Sequence, residues 1–327
     1  KGIELALDAV IVDTKDFGLN ANFNISYNRA KIDKLAGGQT WQSSNWGGKP
    51  AGQNDFFIEE GGRLGEVYGY ELDGFYTTDD FSWDGSKWIL NENLTDPTEL
   101  IKYNNFGPGS LKLKADEDGK FTKKRLGNTV PTVTGGFGIN MRYKNFDLSA
   151  FSNYSLGNKI VNATKLGSSY YNDTKKGWNL NDNFTLAKRY SWIDPSTGEN
   201  MLKSSYIKSN GLDYTINRLN EINAGASMYN PGSITEMPLL DWAVEDGSFL
   251  RIQSISFGYT FPRKWLAPIG IQNLKLYCNL QNVYTFTKYK GMDPEIGSAN
   301  QDALLTGFDN YRYPSPRIYT FGLNLTF

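Results

Sequence analysis

The feature that most constrains this chain is its final stretch, Pro316-Arg317-Ile318-Tyr319-Thr320-Phe321-Gly322-Leu323-Asn324-Leu325-Thr326-Phe327. Successive side chains of a strand point to opposite faces. Tyr319, Phe321, Leu323, Leu325 and Phe327 therefore share one face, and Thr320, Gly322, Asn324 and Thr326 share the other. The length matches the roughly 9–11 residues with which a tilted strand crosses a bilayer. Apolar outside and small or polar inside is what a transmembrane barrel requires, with lipid on one face and a wet lumen on the other. The last strand of a soluble sandwich with one buried face would show the same alternation, so the rest of the chain has to decide.

The alternation recurs. It marks strands near 2–12, 17–28, 132–143, 146–154, 248–261, 272–286 and 317–327, seven in all. In the first, Ile3, Leu5, Leu7, Ala9 and Ile11 share a face. In the second, Phe17, Leu19, Ala21, Phe23, Ile25 and Tyr27 oppose Gly18, Asn20, Asn22, Asn24, Ser26 and Asn28. Uncharged amides along a whole face suit a crowded wet interior better than the outside of a soluble sheet, which usually carries Lys and Glu. Short polar turns, such as Asp13 to Asp16 and Lys144-Asn145, join strands at one end. Long irregular excursions over about 30–131, 156–246 and 287–315 join them at the other. Loops of that length are uncommon in compact domains and usually functional. Short turns at one rim and long loops at the other are the habit of outer-membrane barrels, with the long set extracellular and the C-terminus periplasmic. The predicted architecture is all-β: a transmembrane antiparallel barrel, of which residues 1–327 form one portion. Lipid tolerates no open sheet edge, so further strands are expected to pair with both ends of this set.

Inside the excursions, residues 67–76 are expected to hold a strand outside the membrane layer, and 181–190 and 214–222 are helix candidates. Trp242 and Trp265 flank strand ends and are expected at the membrane interface.

The chain has no histidine and a single cysteine, Cys278. Ser-His-Asp and Cys-His catalysis and every His-ligated metal site are excluded. The formal net charge of −1 argues against nucleic acid as a partner. The adjacent carboxylates Glu59-Glu60 and Asp79-Asp80, and Asp293 with Glu295, lie in loops. They do not form the rigid pair flanking a scissile bond that glycoside hydrolysis needs, so no enzyme is expected. No cofactor is expected either.

Several stretches resemble the SusC/RagA-like TonB-dependent outer-membrane transporters. They are Lys1-Gly2-Ile3-Glu4-Leu5, Gly69-Tyr70 through Gly74-Phe75-Tyr76, and Leu126-Gly127-Asn128-Thr129-Val130-Pro131. Tyr143-Lys144-Asn145-Phe146-Asp147-Leu148 follows, then the strongest run, Glu245-Asp246-Gly247-Ser248-Phe249-Leu250-Arg251. Asn282-Val283-Tyr284-Thr285-Phe286-Thr287-Lys288-Tyr289 and Gly291-Met292-Asp293-Pro294-Glu295 complete the set, in the family's order along almost the whole chain. The resemblance implies a 22-stranded barrel of which these are the C-terminal strands, with the N-terminal plug and the TonB-contacting segment outside this chain. It implies import of an oligosaccharide or peptide nutrient, a SusD-like surface lipoprotein as lid, and energy from the TonB-ExbB-ExbD complex. Thr320, Gly322, Leu325 and Phe327 resemble the family's outer-membrane insertion signal.

Many family members carry a calcium loop where this chain has Lys114-Ala115-Asp116-Glu117-Asp118-Gly119. Asp116, Asp118 and Gly119 fit the third, fifth and sixth positions of such a loop. Lys114 at the first position and Thr122 to Arg125 at its far end supply the wrong charge, so a plain acidic turn is expected and no metal is assigned.

Trp41, Trp46, Trp83 and Trp88 in the first excursion, Tyr170 and Tyr171 in the second, and Tyr289 in the third are the candidate contacts for substrate or lid. Large amphipathic rings serve either purpose; packing the excursions onto one another is the competing role. The alternative functions are an outer-membrane adhesin or passive porin, and a soluble carbohydrate-binding β protein.

Overall fold

The computed structural model describes residues 1–38, 40–42, 53–171, 179–297 and 304–327. Seven long strands form one antiparallel sheet in chain order: β1 (Gly2–Asp13), β2 (Phe17–Asn28), β3 (Val133–Tyr143), β4 (Phe146–Leu156), β5 (Phe249–Thr260), β6 (Asn273–Thr287) and β7 (Ile318–Thr326). Each is bonded to its sequence neighbours, so the wall is a plain meander. Among the described residues no helix is long and apolar enough to cross a membrane. A barrel crosses with strands, and these have the length for it.

Register shows which residues share a face. Phe23 pairs with Leu7 and Phe137, Phe257 with Leu148 and Cys278, and Leu276 with Leu323. These belong to one apolar face, and much of it is exposed, from 36% at Phe23 to 76% at Phe321. Two bulges adjust the rows. The first lies between Val10 and Val12: Val10 still faces Asn20, but Val12 faces Leu19, so the apolar row passes to Val12 and not to Ile11 as the alternation implied. The second lies between Ile252 and Ser254, where Gln253 is the extra residue and its amide donates to Asn282 Oδ1 at 3.0 Å. Because a bulge shifts parity, Arg251 and Ser254 both land on the polar face.

Aromatic residues gather at both ends of the apolar face. At the short-turn rim, Phe146 lies 4.6 Å from Tyr259, Tyr259 5.0 Å from Phe261, and Phe261 6.5 Å from Trp265. At the other rim, Tyr284 and Phe286 meet at 4.7 Å. From Phe17 to Tyr27 the chain advances about 33 Å at ~3.3 Å per residue. At a tilt of ~40° that covers about 25 Å across the bilayer, the usual height of the apolar band.

Glycines in the wall stand where a neighbour's side chain has to cross. Lys275 on β6 and Asp147 on β4 form an ion pair at 2.8 Å across the intervening β5. The residue beneath is Gly258, where a Cβ would sit 2.6 Å from both Asp147 Oδ2 and Lys275 Cε. At Gly322 the Tyr277 ring occupies the space of the absent side chain.

The excursions are folded, and the buried core of the chain lies in them. One cluster draws on all three: Phe56, Val67 and Ile101 pack with Val161, Leu166 and Leu239 and with Leu305 and Phe308. A second joins Tyr76, Phe81 and Trp88 to Tyr190, Trp192, Met201 and Leu219. Where the sequence suggested one strand over 67–76 there are two, Glu66–Gly69 and Leu72–Phe75, in different sheets. Tyr70 bridges to Leu240 between them, and the Leu72 N–H donates to Asp241. The helix over 214–222 exists and is longer, Leu212–Ile222; Gly211, at φ +89°, separates it from a second helix, Ser204–Asn210. The helix expected over 181–190 does not form. The Asn181 side chain accepts from Asn183 N–H and donates to the Lys165 carbonyl, holding a single turn at Asp182–Phe184 that seats Phe184 against Tyr229. Local side-chain bonds of this kind compete with helix.

Candidate functional site

The polar face of the wall is the roofed one. Arg251 projects from it and is only 3% exposed. Its guanidinium donates to Asp293, to Glu295 at 2.8 Å, and to the Thr285 hydroxyl at 3.0 Å. Asp293 in turn accepts from the N–H groups of Glu295 at 2.9 Å and Ser315 at 3.1 Å. Burial would raise the Asp293 carboxyl; those two N–H groups and the Arg251 charge outweigh it and hold the group below its ordinary range. One arginine thus fastens both limbs of the third excursion to the wall. Asn282, at positive φ in the bulge, adds a bond to the Pro316 carbonyl at 2.8 Å. Next to this latch a cavity of about 310 Å³ opens between wall residues Thr134, Asn153 and Ser155 and excursion residues Pro294, Glu295 and Ile296. The third excursion therefore folds over the polar face at its long-excursion end, while Asn24, Asn140 and Asn324 further along that face stay exposed. That sidedness distinguishes a barrel wall, polar face inward, from half of a soluble sandwich.

The sequence-derived candidates scatter. Trp88, Tyr170 and Tyr289 are buried, at 8%, 2% and 5% exposure, and the rings of Trp88 and Tyr170 pack the excursions. Tyr289 donates its hydroxyl to Asp309 at 2.5 Å, and burial followed by that bond raises it far above the ordinary tyrosine range. Trp83 leans on Trp88 at 5.5 Å. Trp41 and Tyr171 remain exposed, at 39% and 43%. Trp41 joins Phe57 at 4.4 Å and Tyr68 at 5.6 Å in an aromatic plate on the sheet formed by Thr40–Gln42, Phe56–Ile58, Glu66–Gly69 and Lys124–Asn128. Alternation over so short a strand did not reveal Phe57 and Tyr68 as partners of Trp41. Trp46 lies outside the described residues.

Trp242 is not an interface residue. It is partly buried in the excursion core, with Lys165 Nζ 4.5 Å from its ring and Phe184 at 6.4 Å. Its turn leads into Val244–Asp246, which pairs with Lys159–Asn162 above the rim. Trp265 is 57% exposed at the short-turn rim.

At the acidic turn, Asp116 Oδ1 accepts from Lys120 N–H at 2.8 Å and Asp118 N–H at 3.1 Å, and Gly119 takes φ +76°. Those bonds, that from Lys120 foremost, hold the carboxyl below its ordinary range. Lys114 faces Glu71 at 3.7 Å. Of the paired carboxylates, Asp80 closes a capping box with Thr77 and pairs with Lys112, while Asp293 and Glu295 are held by Arg251. At the end of the chain Thr320 and Gly322 lie in the polar row opposite Asn279 and Tyr277, Leu325 in the apolar row opposite Leu274, and Phe327 just past β7, 78% exposed.

Seven membrane-length strands with a bare apolar face, aromatic rims and a roofed polar face define the wall of an outer-membrane β-barrel. No family model matches the chain. It is 29% identical over 339 residues to TonB-dependent receptor P3 of Formosa agariphila, covering all of this chain and 28% of that protein. It is 25% identical over 338 residues to TonB-dependent receptor SusC of Bacteroides thetaiotaomicron, covering 26% of that protein. Among solved structures, the RagAB peptide importer in its open-open state superposes with a TM-score of 0.57 at 20% identity, over all of this chain and 28% of the other. Over its whole length the chain is similar to part of the barrel of SusC/RagA-like TonB-dependent receptors. It spans less than a third of the length of the relatives it matches.

Proposed function

We propose that this wall serves TonB-dependent active import of a nutrient, an oligosaccharide or a peptide, across the bacterial outer membrane. The observation that carries the reading is the roofed polar face: folded excursions are clamped to the lumenal side of the wall through Arg251, Asp293 and Glu295. A transporter needs a path whose outer mouth is shaped by loops of defined structure. The relatives named as TonB-dependent receptors support energised uptake in preference to a passive pore or an adhesin.

In this reading the three long excursions face the cell exterior and the short turns face the periplasm. A SusD-like lipoprotein closes over the excursions, and the TonB-ExbB-ExbD complex acts through a plug outside this chain. Trp41, Trp83 and Tyr171 are the ring contacts retained for substrate or lid. The peptide named for the RagAB importer supports a peptide as readily as the sugar-stacking capacity of Trp41 supports a glycan. The protein works without catalysing a covalent reaction.

The test is uptake by cells carrying the full-length receptor, using labelled oligosaccharide and peptide pools with and without a protonophore. Receptor-dependent uptake that collapses with the protonophore is the expected result; uptake indifferent to it would make the barrel a passive porin. Single cysteines at Ser86 and Thr14 read the topology on intact cells. Labelling is expected at Ser86 only, and labelling at Thr14 alone would invert the orientation.

A further inference from the structure

We propose that the apolar face carries, at its long-excursion rim, a binding site for a phosphate-bearing membrane lipid. Between the upper ends of β4, β5 and β6 lies an open groove of about 500 Å³, floored by Leu156, Leu250, Tyr284 and Phe286 and ending at Lys288. On the other side of Tyr284 a smaller hollow of about 220 Å³, lined also by Arg251 and Asp293 of the latch, ends at Arg317, and the two share Tyr284, Thr285 and Thr287. Two cations thus bracket one aromatic ledge.

Both side chains are exposed, and neither makes a hydrogen bond or ion pair among the described residues. Arg125, Arg142, Arg218 and Arg251, by comparison, are each engaged by carboxylates. The carboxylate facing the groove is Asp246. Burial would raise its carboxyl; the Ser248 N–H at 3.0 Å, then the charges of Lys159 and of Lys288 itself, outweigh that and hold it below its ordinary range.

The occupant follows from position. The floor resumes the apolar row of Leu276, Cys278 and Leu280 past the bulge at Gln253 and Asn282, so acyl chain covers it. Leu156, Leu250, Tyr284 and Phe286 lie on interior strands of the sheet, where strands added at β1 or β7 do not reach them. Arg317, just before β7, stands about one band-height above the short-turn girdle, and Lys288, just past the end of β6, stands higher, so the two span the headgroup layer. Basic residues there attract headgroup phosphate, and tyrosine suits the same boundary because its ring is apolar and its tip wet.

The experiment uses the full-length receptor, stripped of lipid in mild detergent and returned to vesicles of phosphatidylglycerol or of digalactosyldiacylglycerol, which lacks phosphate. Lipid retained per receptor after re-extraction is counted by mass spectrometry. Wild type is expected to keep phosphatidylglycerol and to release the galactolipid. Lys288→Gln and Arg317→Gln should each lower retention about fivefold, while Lys264→Gln, at the other rim, should leave it unchanged. Excess inorganic phosphate should not displace the lipid, because the apolar floor supplies much of the binding. Equal retention by wild type and both variants overturns the proposal. So does an equal loss in the Lys264 control, and so does displacement by free phosphate, which would reduce the site to an anion contact. Correct assembly of each variant is read from its heat-dependent gel mobility.

Discussion

Replacing Arg251 by methionine in the full-length receptor removes the guanidinium and keeps most of the apolar stem. Asp293, 6% exposed, then retains only the N–H bonds from Glu295 and Ser315 at 2.9 and 3.1 Å. Stranding one member of a buried ion pair costs about 3–5 kcal/mol. That energy has a local outlet: the hydrogen-bond ladders of β5 and β6 are untouched, whereas the third excursion loses the clamp on both of its limbs. The expected effect is detachment of residues 288–317, with the opening equilibrium raised from roughly 10²-fold to several thousandfold at ~1.4 kcal/mol per tenfold. Hydrogen–deuterium exchange in nanodiscs reads it directly, as lost protection in peptides from the third excursion and none lost in β5 or β6. The double change Arg251→Met with Asp293→Asn should recover a large part of that loss, because replacing both partners removes the uncompensated charge. Unchanged exchange over 288–317 in the single variant would refute the reasoning. So would a double variant as open as the sum of the singles, since the pair would then not be coupled.

The same carboxylate sets a pH dependence: its folded pKa is depressed, so its contribution is present above the ordinary value of 3.8 and is lost as pH falls through the lower folded value. Exchange over 288–317 should therefore rise on acidification below about pH 4. Gly258→Ala, whose new methyl would collide with the Lys275–Asp147 bridge, should destabilise the barrel by about 1–3 kcal/mol; Gly225→Ala, with nothing within 4 Å, should not, as heat-dependent gel mobility will report. Phe23→Arg on the apolar face should cost on the order of 2–4 kcal/mol near the midplane, and Asn24→Arg, one residue on, far less; equal sensitivity would mean the faces are exchanged. Deleting Phe327, which is 78% exposed, removes at most about 2 kcal/mol of apolar burial. The variant should assemble poorly in cells yet fold in detergent with nearly unchanged stability, whereas Phe327→Tyr should assemble almost normally.

What the sequence determined by itself is the wall. Phe23 and Asn24, or Leu276 and Tyr277, sit in unlike media one residue apart, and the period-2 pattern records that demand wherever one face meets lipid and the other water. It failed where parity is broken: at Ile11, and at Gln253, where only the paired bulge with Asn282 shows that Arg251 belongs to the polar face. What the tertiary structure decided is the excursions. Trp88, Tyr170 and Tyr289 read equally as contact rings or as packing, and Trp242 as an interface residue, because irregular backbone carries no periodicity from which burial can be inferred. Their burial depends on contacts between segments more than a hundred residues apart, such as Phe56 and Val67 with Leu239 and Phe308. The pairing of Arg251 with Asp293 and Glu295 is of the same kind. Arg251 reads as a strand residue facing a wet lumen and Asp293 and Glu295 as solvated loop residues, and only the fold of the third excursion over the wall removes the water from all three.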